Sequence, residues 1–190
     1  MRKSLLALII CLAFTSLPAS AIKIADTDVA ESLTLPNSEE TLQLNGAGIR
    51  KKFFMKIYIG ALYLADKTPD AQAILSDDGP ASVVMHILYN KISKEKITGG
   101  WDDGLIANLT SADMRAIKPR LDKFNQLFKA VQEGDDIRID YIPGKGTEVR
   151  ISGEWRGVVE GNDFFRALLK VWLGSSPVSS SLKNDMLGLD

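Results

Sequence analysis

The stretch that most constrains this chain runs from Thr41 to Leu64, TLQLNGAGIRKKFFMKIYIGALYL. Two apolar runs, Thr41 to Leu44 and Phe53 to Leu64, flank Asn45-Gly46-Ala47-Gly48, whose glycines accept φ > 0 without a Cβ penalty. The pattern predicts a β-hairpin turning at those glycines. In the second run, the two-residue period places Phe54, Lys56, Tyr58, Gly60 and Leu62 on one face and Met55, Ile57, Ile59 and Ala61 on the other. The second face is wholly apolar. The first mixes a cation and a phenol with aromatic surface, and Arg50 lies just ahead of it, a combination that points to a site.

Around this hairpin the remaining segments alternate between strand and helix. Ala71 to Leu75 reads as a short helix closed by Asp77-Asp78-Gly79-Pro80. Ser82 to Tyr89, SVVMHILY, is apolar on both faces and fits an inner strand. His86 is the only histidine, and in such a run it reads as a hydrogen-bonded packing residue rather than a catalyst. Ser93 can cap a helix toward Leu109. Gly99-Gly100 sits inside that helix, so either it breaks there or something packs against the bare backbone beside Trp101. Thr110 and Ser111 start a further helix, with a kink or restart at Lys118-Pro119. Leu121, Phe124, Phe128 and Val131 recur at helical spacing and predict one stripe that ends at Glu133-Gly134-Asp135.

Asp136 to Ile142 and Thr147 to Ser152 alternate polar and apolar residues around Pro143-Gly144-Lys145-Gly146, which predicts a hairpin with one wet face. Trp155 to Val159 adds a strand. Asn162 or Asp163 caps an amphipathic helix with Phe165, Leu168, Leu169 and Trp172 inward and Gly174 as its stop. Ser179 to Leu187 forms the last short helix. Strands bracketing a helical block, with helices at the end, predict an α+β fold built on an antiparallel sheet.

The N-terminus carries Met1-Arg2-Lys3, an apolar run from Leu5 to Leu17, then Pro18 and Ala19-Ser20-Ala21. This predicts a secretory signal peptide over residues 1–21 and a single exported, periplasmic domain over 22–190; a retained membrane anchor is the alternative. The only cysteine, Cys11, follows Ile10 where a lipoprotein signal needs a small residue. Removing Arg2 and Lys3 leaves 21 basic against 24 acidic side chains. Such a balance, without an arginine-rich run, argues against nucleic acid. One histidine and no cysteine after the signal peptide leave no zinc-protease pattern and no thiolate metal site, and no glycine loop cradles a phosphate. No metal or cofactor is expected. Neighbouring carboxylates such as Asp77-Asp78 and Asp102-Asp103 read as turn and cap residues.

Arg50 and Tyr58 remain: a permanent cation and a hydroxyl beside an apolar sheet face. They suit a carboxylate head with an aliphatic tail behind it, and the alternative for Arg50 is a solvated turn arginine.

The run Leu44-Asn45-Gly46-Ala47-Gly48-Ile49-Arg50, followed by Lys56 and Ala61-Leu62-Tyr63-Leu64, resembles the signature of the chalcone isomerase family. Asp163 to Gly174 followed by Pro177-Val178-Ser179-Ser180-Ser181-Leu182-Lys183 resembles that family's closing pair of helices. The resemblance, closest to its bacterial branch, covers roughly Gln43 to Leu187. It implies an open-faced sandwich, an antiparallel sheet with helices on one face and a ligand cleft between them, with Lys56, Gly100, Trp101, Val171 and Trp172 as possible cleft lining.

Of the positions that carry isomerase chemistry in the family, only Arg50 matches. Tyr58 replaces a threonine, the helix positions fall near Ile92 or Ser93 and at Gly100, and Val171 replaces a second threonine. Arg50 with Tyr58 resembles the family's non-catalytic fatty-acid-binding members. The implied function is therefore a carrier or sensor of a fatty acid or similar amphiphile. An isomerase for a phenolic or enone-like substrate is the second reading, and a cell-envelope interaction protein with a vestigial cleft the third.

Overall fold

A computed structural model describes residues 20–189; of the expected signal peptide, residues 1–19 lie outside the described residues. Three short strands come first, β1 (Ala21–Ile24), β2 (Thr27–Ala30) and β3 (Ser32–Thr34), and then the long pair β4 (Thr41–Lys52) and β5 (Met55–Leu64). Helix α1 (Ala71–Ser76), capped by Asp70, leads to β6 (Ala81–Ile87) and the two-residue β7 (Lys91–Ile92). Helices α2 (Lys94–Ile106) and α3 (Ser111–Gln126) follow, with Ser93 and Thr110 accepting the N-terminal amide bonds expected of such caps. Then come β8 (Val131–Gln132), β9 (Asp136–Ile142), β10 (Gly146–Ile151) and β11 (Glu154–Val159), and finally α4 (Asn162–Leu173) and α5 (Ser180–Met186).

Seven strands form one sheet in the order β11-β10-β9-β6-β5-β4-β3, every neighbouring pair antiparallel. Helices cover one face of this α+β fold. Side chains alternating along the strands, among them Tyr58, Leu62, Val83, Met85, Ile87, Ile137 and Ile139, pack under α2, α3, α4 and α5. Helix α4 lies deepest, with Phe164, Phe165, Leu168, Leu169 and Trp172 all buried. Each such large apolar side chain contributes about 1.5–3 kcal/mol. Phe124 meets Trp101 and Phe128 edge to face beside them, and Trp101 and Phe128 tilt toward each other, with ring centroids 4.9–5.8 Å apart.

The other sheet face carries a second cluster, in which Val29 of β2 packs with Leu42, Leu44, Ile59, Ala61 and Tyr63. The β1–β2 hairpin is held there by the Tyr63 hydroxyl, which donates to the Ala30 carbonyl at 2.9 Å.

Three expectations are corrected. The glycines at 46 and 48 are inside β4, not in a turn; the turn is at Phe53-Phe54, where Phe53 has φ +54°. Glycine is needed instead because α5 presses on the strand: a methyl at Gly46 would collide with the Asp185 carbonyl and one at Gly48 with the Asp185 side chain. Asn45 is the extra residue of a bulge. Its side chain accepts from the Thr68 amide at 2.8 Å and donates to the Met186 carbonyl at 2.9 Å, tying α5 to the sheet.

The stripe from Leu121 is not one helix to residue 133. Helix α3 ends at Gln126, and Phe128 and Val131 are buried from the following segment, with Val131 in the β7–β8 ribbon. The expected wet face of the β9–β10 hairpin is largely dry. Asp140 and Glu148 are fully buried, paired with Arg138 at 2.7 Å, with Arg150 at 2.7 Å and with Lys145. Arg138 also donates to the Thr34 carbonyl at 2.8 Å, so the segment before β4 closes over these charges. Buried charges persist only when paired in this way.

Candidate ligand-binding site

Arg50 and Tyr58 face each other across the β4–β5 ladder. The guanidinium carbon stands 5.7 Å from the centre of the phenol ring, within cation–π range. Arg50 Nε is buried, with no hydrogen-bond partner among the described residues. The Tyr58 oxygen accepts from Trp172 Nε1 at 3.0 Å. An indole N–H can only donate, so Tyr58 must direct its own proton elsewhere. Burial pushes the phenol up to about 12, against the pull of Arg50 and of the Trp172 bond. At neutral pH Tyr58 therefore keeps its proton and serves as a donor, not a base.

Both residues border a cavity of about 470 Å³ between the sheet and α2, a size that accommodates a small organic ligand. Ile57, Met85, Ile87, Ile137, Ile97 and Val178 give it apolar walls, while Lys52, Tyr89, Glu95, Lys96 and Asp103 supply polar groups. Trp101 also lines it, and its buried Nε1 lacks a partner among the described residues.

The glycine pair now has its reason. Helix α2 runs unbroken through Gly99-Gly100, both line the cavity, and a Cβ on either would meet nothing within 4 Å. One turn later, a Cβ on Gly104 would approach Val171 Cγ1 to 2.8 Å. The same helix thus uses glycine once to leave space and once to close it.

Arg50, Tyr58, Gly100, Trp101 and Val171 all line this cavity, as does Ile92. Trp172 does not line it but stands behind Tyr58 and holds its hydroxyl. Lys56 is a correction, being exposed and outside the lining. Arg50 pairs with Tyr58 but Lys51 pairs with Lys56, leaving Ile57 as the extra residue of a β-bulge. A one-residue bulge reverses the alternation beyond it, so Ile57 turns into the cavity and Lys56 out. Met55 takes the lining place that strict alternation denies it, opposite Lys52, which lines the cavity two residues after Arg50 on the unbulged strand.

The sequence reading also missed Tyr89, which lines the cavity from just beyond β6. No short-range pattern marks it; only the course of the chain after Ile87 brings it in. His86 points to the opposite face, where its Nδ1 lies 2.7 Å from Asp136 Oδ1, and it takes no part in this cavity. No group of three or more metal-ligating side chains occurs among the described residues.

No curated protein matches the chain. Among solved structures, a fatty-acid binding protein of Arabidopsis thaliana superposes with a TM-score of 0.61 at 16% sequence identity, over 83% of this chain and 96% of that one. That likeness shows the fold. The chalcone isomerase-like family matches residues 21–188, and over that span, nearly its whole length, the chain belongs to the chalcone isomerase-like family.

Proposed function

We infer that this protein binds a fatty acid or a similar carboxylate-bearing amphiphile between sheet and helices, without transforming it. One observation carries the reading: Tyr58, fixed as a donor by Trp172, stands beside an arginine whose Nε has no partner among the described residues, at the wall of a largely apolar cavity. A carboxylate accepts from both, and each charge-assisted bond contributes about 1.5–3 kcal/mol. Each methylene buried along the apolar walls adds up to about 0.8 kcal/mol, so the tail dominates. Ordering and association offset much of this, and the expected dissociation constant is on the order of micromolar. The Arabidopsis thaliana neighbour, described as a fatty-acid binding protein, supports the same ligand class. Export to the periplasm, with residues 1–21 as a signal peptide, is the accompanying proposal. No helix among the described residues is long and apolar enough to cross a membrane.

The competing reading, an isomerase for an enone-like substrate, draws on the second phenol that Tyr89 brings to the cavity. Mass spectrometry of gently purified protein, paired with a chalcone turnover assay, separates the two. A co-purifying fatty acid that disappears in Arg50→Ala is the expected result. Saturable, Arg50-dependent chalcone turnover would assign the site to the enzyme instead.

A further inference from the structure

The two residues at the very tip of the β4–β5 hairpin, Phe53 and Phe54, belong neither to the core nor to the walls just described. Lys52 pairs with Met55 across a two-residue turn whose central residues, Phe53 and Phe54, are 83% and 102% exposed. Phe53 has φ +54°, and Phe54 is not in the left-handed region. In a two-residue hairpin turn, the first position with φ > 0 ordinarily takes glycine. A bulky side chain there is strained, and this one gains no burial in exchange. Met55, next in sequence, is also exposed. Contiguous exposed apolar side chains at a strained position mark a contact with something outside the chain.

The surrounding charge is of one sign. Arg50, Lys51, Lys52 and Lys56 flank the phenylalanines, and the sequence has no carboxylate from Thr41 to Ala65. We propose that this tip docks on an anionic lipid bilayer, with Phe53 and Phe54 entering the acyl boundary and Lys51, Lys52 and Lys56 meeting headgroup phosphates. Aromatic rings flanked by long basic side chains, whose stems stay apolar while their heads stay wet, are suited to the plane between headgroups and chains. A protein partner is less well matched. A two-residue protruding tip falls far short of the roughly 1,200 Å² that a stable protein interface buries.

Lys52 and Met55 belong both to the tip and to the cavity lining, so docking would set the cavity wall against the bilayer. The two carboxylates that line the cavity, Glu95 and Asp103, belong to α2 and not to the hairpin. The docking surface rests on the tip's own residues; only the passage of an amphiphile between bilayer and cavity rests on the fatty-acid reading.

The test is co-sedimentation of the purified protein with vesicles of phosphatidylcholine alone and of phosphatidylcholine mixed with phosphatidylglycerol, at low and high salt. Binding to the mixed vesicles, weakened by salt, is expected. Phe53→Gly/Phe54→Asn suits the turn and spares the fold, and it should reduce binding about tenfold or more. Lys51→Glu/Lys56→Glu should abolish the preference for anionic lipid. Palmitate affinity in solution should be unchanged in both variants, since none of these four residues lines the cavity. That measurement separates a failure of the docking surface from a failure of the cavity reading. The proposal is overturned by wild-type protein that ignores every vesicle, or by a turn variant that binds vesicles as well as wild type. A dimer that dissociates in the turn variant, without vesicle binding, would also overturn it and assign the tip to self-association.

Discussion

Arg50 and Arg166 each lie over a tyrosine, but at opposite ends of the sheet: Tyr58 pairs with the last residue of β6, and Tyr141 with the first. At the Tyr141 end, the Arg166 guanidinium stands 5.4 Å from that ring and 5.7 Å from Phe165. Its Nε donates to Asn162 Oδ1 at 2.9 Å, Nη1 to the Ile74 carbonyl at 3.1 Å and Nη2 to the Gly79 carbonyl at 3.2 Å. It braces α4 against α1 and the loop before β6. At the Tyr58 end the stacking distance is similar, yet Nε is buried without a partner among the described residues and a cavity opens alongside. Leaving a buried donor unmet costs about 1–3 kcal/mol. The fold gives Arg166 a partner at each of its three nitrogens and leaves Arg50 Nε short, and the proposed carboxylate site rests on that difference.

The comparison breaks most visibly in stability. Arg166→Ala removes three hydrogen bonds and strands two carbonyls, and should lower unfolding free energy by about 3 kcal/mol. Arg50→Ala should change it by less than about 1 kcal/mol. Urea denaturation of both variants measures this, and equal losses would erase the distinction between brace and binding group.

Alkaline titration sharpens the picture of the open end. The folded state holds the Tyr58 phenol at about 12 against an ordinary 10 because burial disfavours its anion. A group raised in the folded state contributes its full stability below pH 10, and loses it as pH rises from 10 to 12. The loss from Tyr58 should be on the order of 2 kcal/mol. Tyr63, raised to about 12 mainly by burial on the other sheet face, should lose a similar amount over the same window. Tyr58→Phe should remove about half of the alkaline loss, and an unchanged pH profile in that variant would place the phenol in wetter surroundings than the structure does.

A smaller effect comes from α2. Gly100→Ala should stabilise the helix by about 1 kcal/mol, because its Cβ enters open space, while fatty-acid affinity falls as the methyl narrows the cavity. Gly104→Ala should do the reverse to stability, since Val171 already occupies that space. Thermal melts with and without ligand read both, and a stabilised Gly100→Ala with undiminished affinity would move the ligand away from this helix.

Some caps were legible and one was not: Asn162 and Asp163 lie inside α4, whose N-cap is Gly161 with no side-chain cap bond. Ser93 and Thr110 accept amide bonds of the helices they were expected to open, and Asp136 to Ile142 matches the bounds of β9. Arg50 and Tyr58 were legible as an odd cation and phenol beside an apolar face. Illegible features depended on residues far along the chain. Gly46 and Gly48 read as a turn because the helix that presses on them arrives some 140 residues later. Lys56 was placed inward because nothing local announces the bulge at Ile57, and Phe53-Phe54 read as strand because turns seldom expose two phenylalanines. The burial of Asp140 beside Arg138 was hidden for the same reason, since Arg138 is held by the Thr34 carbonyl from the segment before β4.

The central claim is that the unmet donors at the Arg50 end receive a carboxylate. Isothermal titration of wild type and Arg50→Ala with palmitic acid and with the alcohol of the same length tests it most directly, since the two ligands share a tail and differ in the head. Wild type should prefer the acid by about 1.5–3 kcal/mol, the range for a hydrogen bond to a charged group, and the preference should collapse in Arg50→Ala while alcohol binding persists. An equal preference for the acid in both proteins would contradict the account.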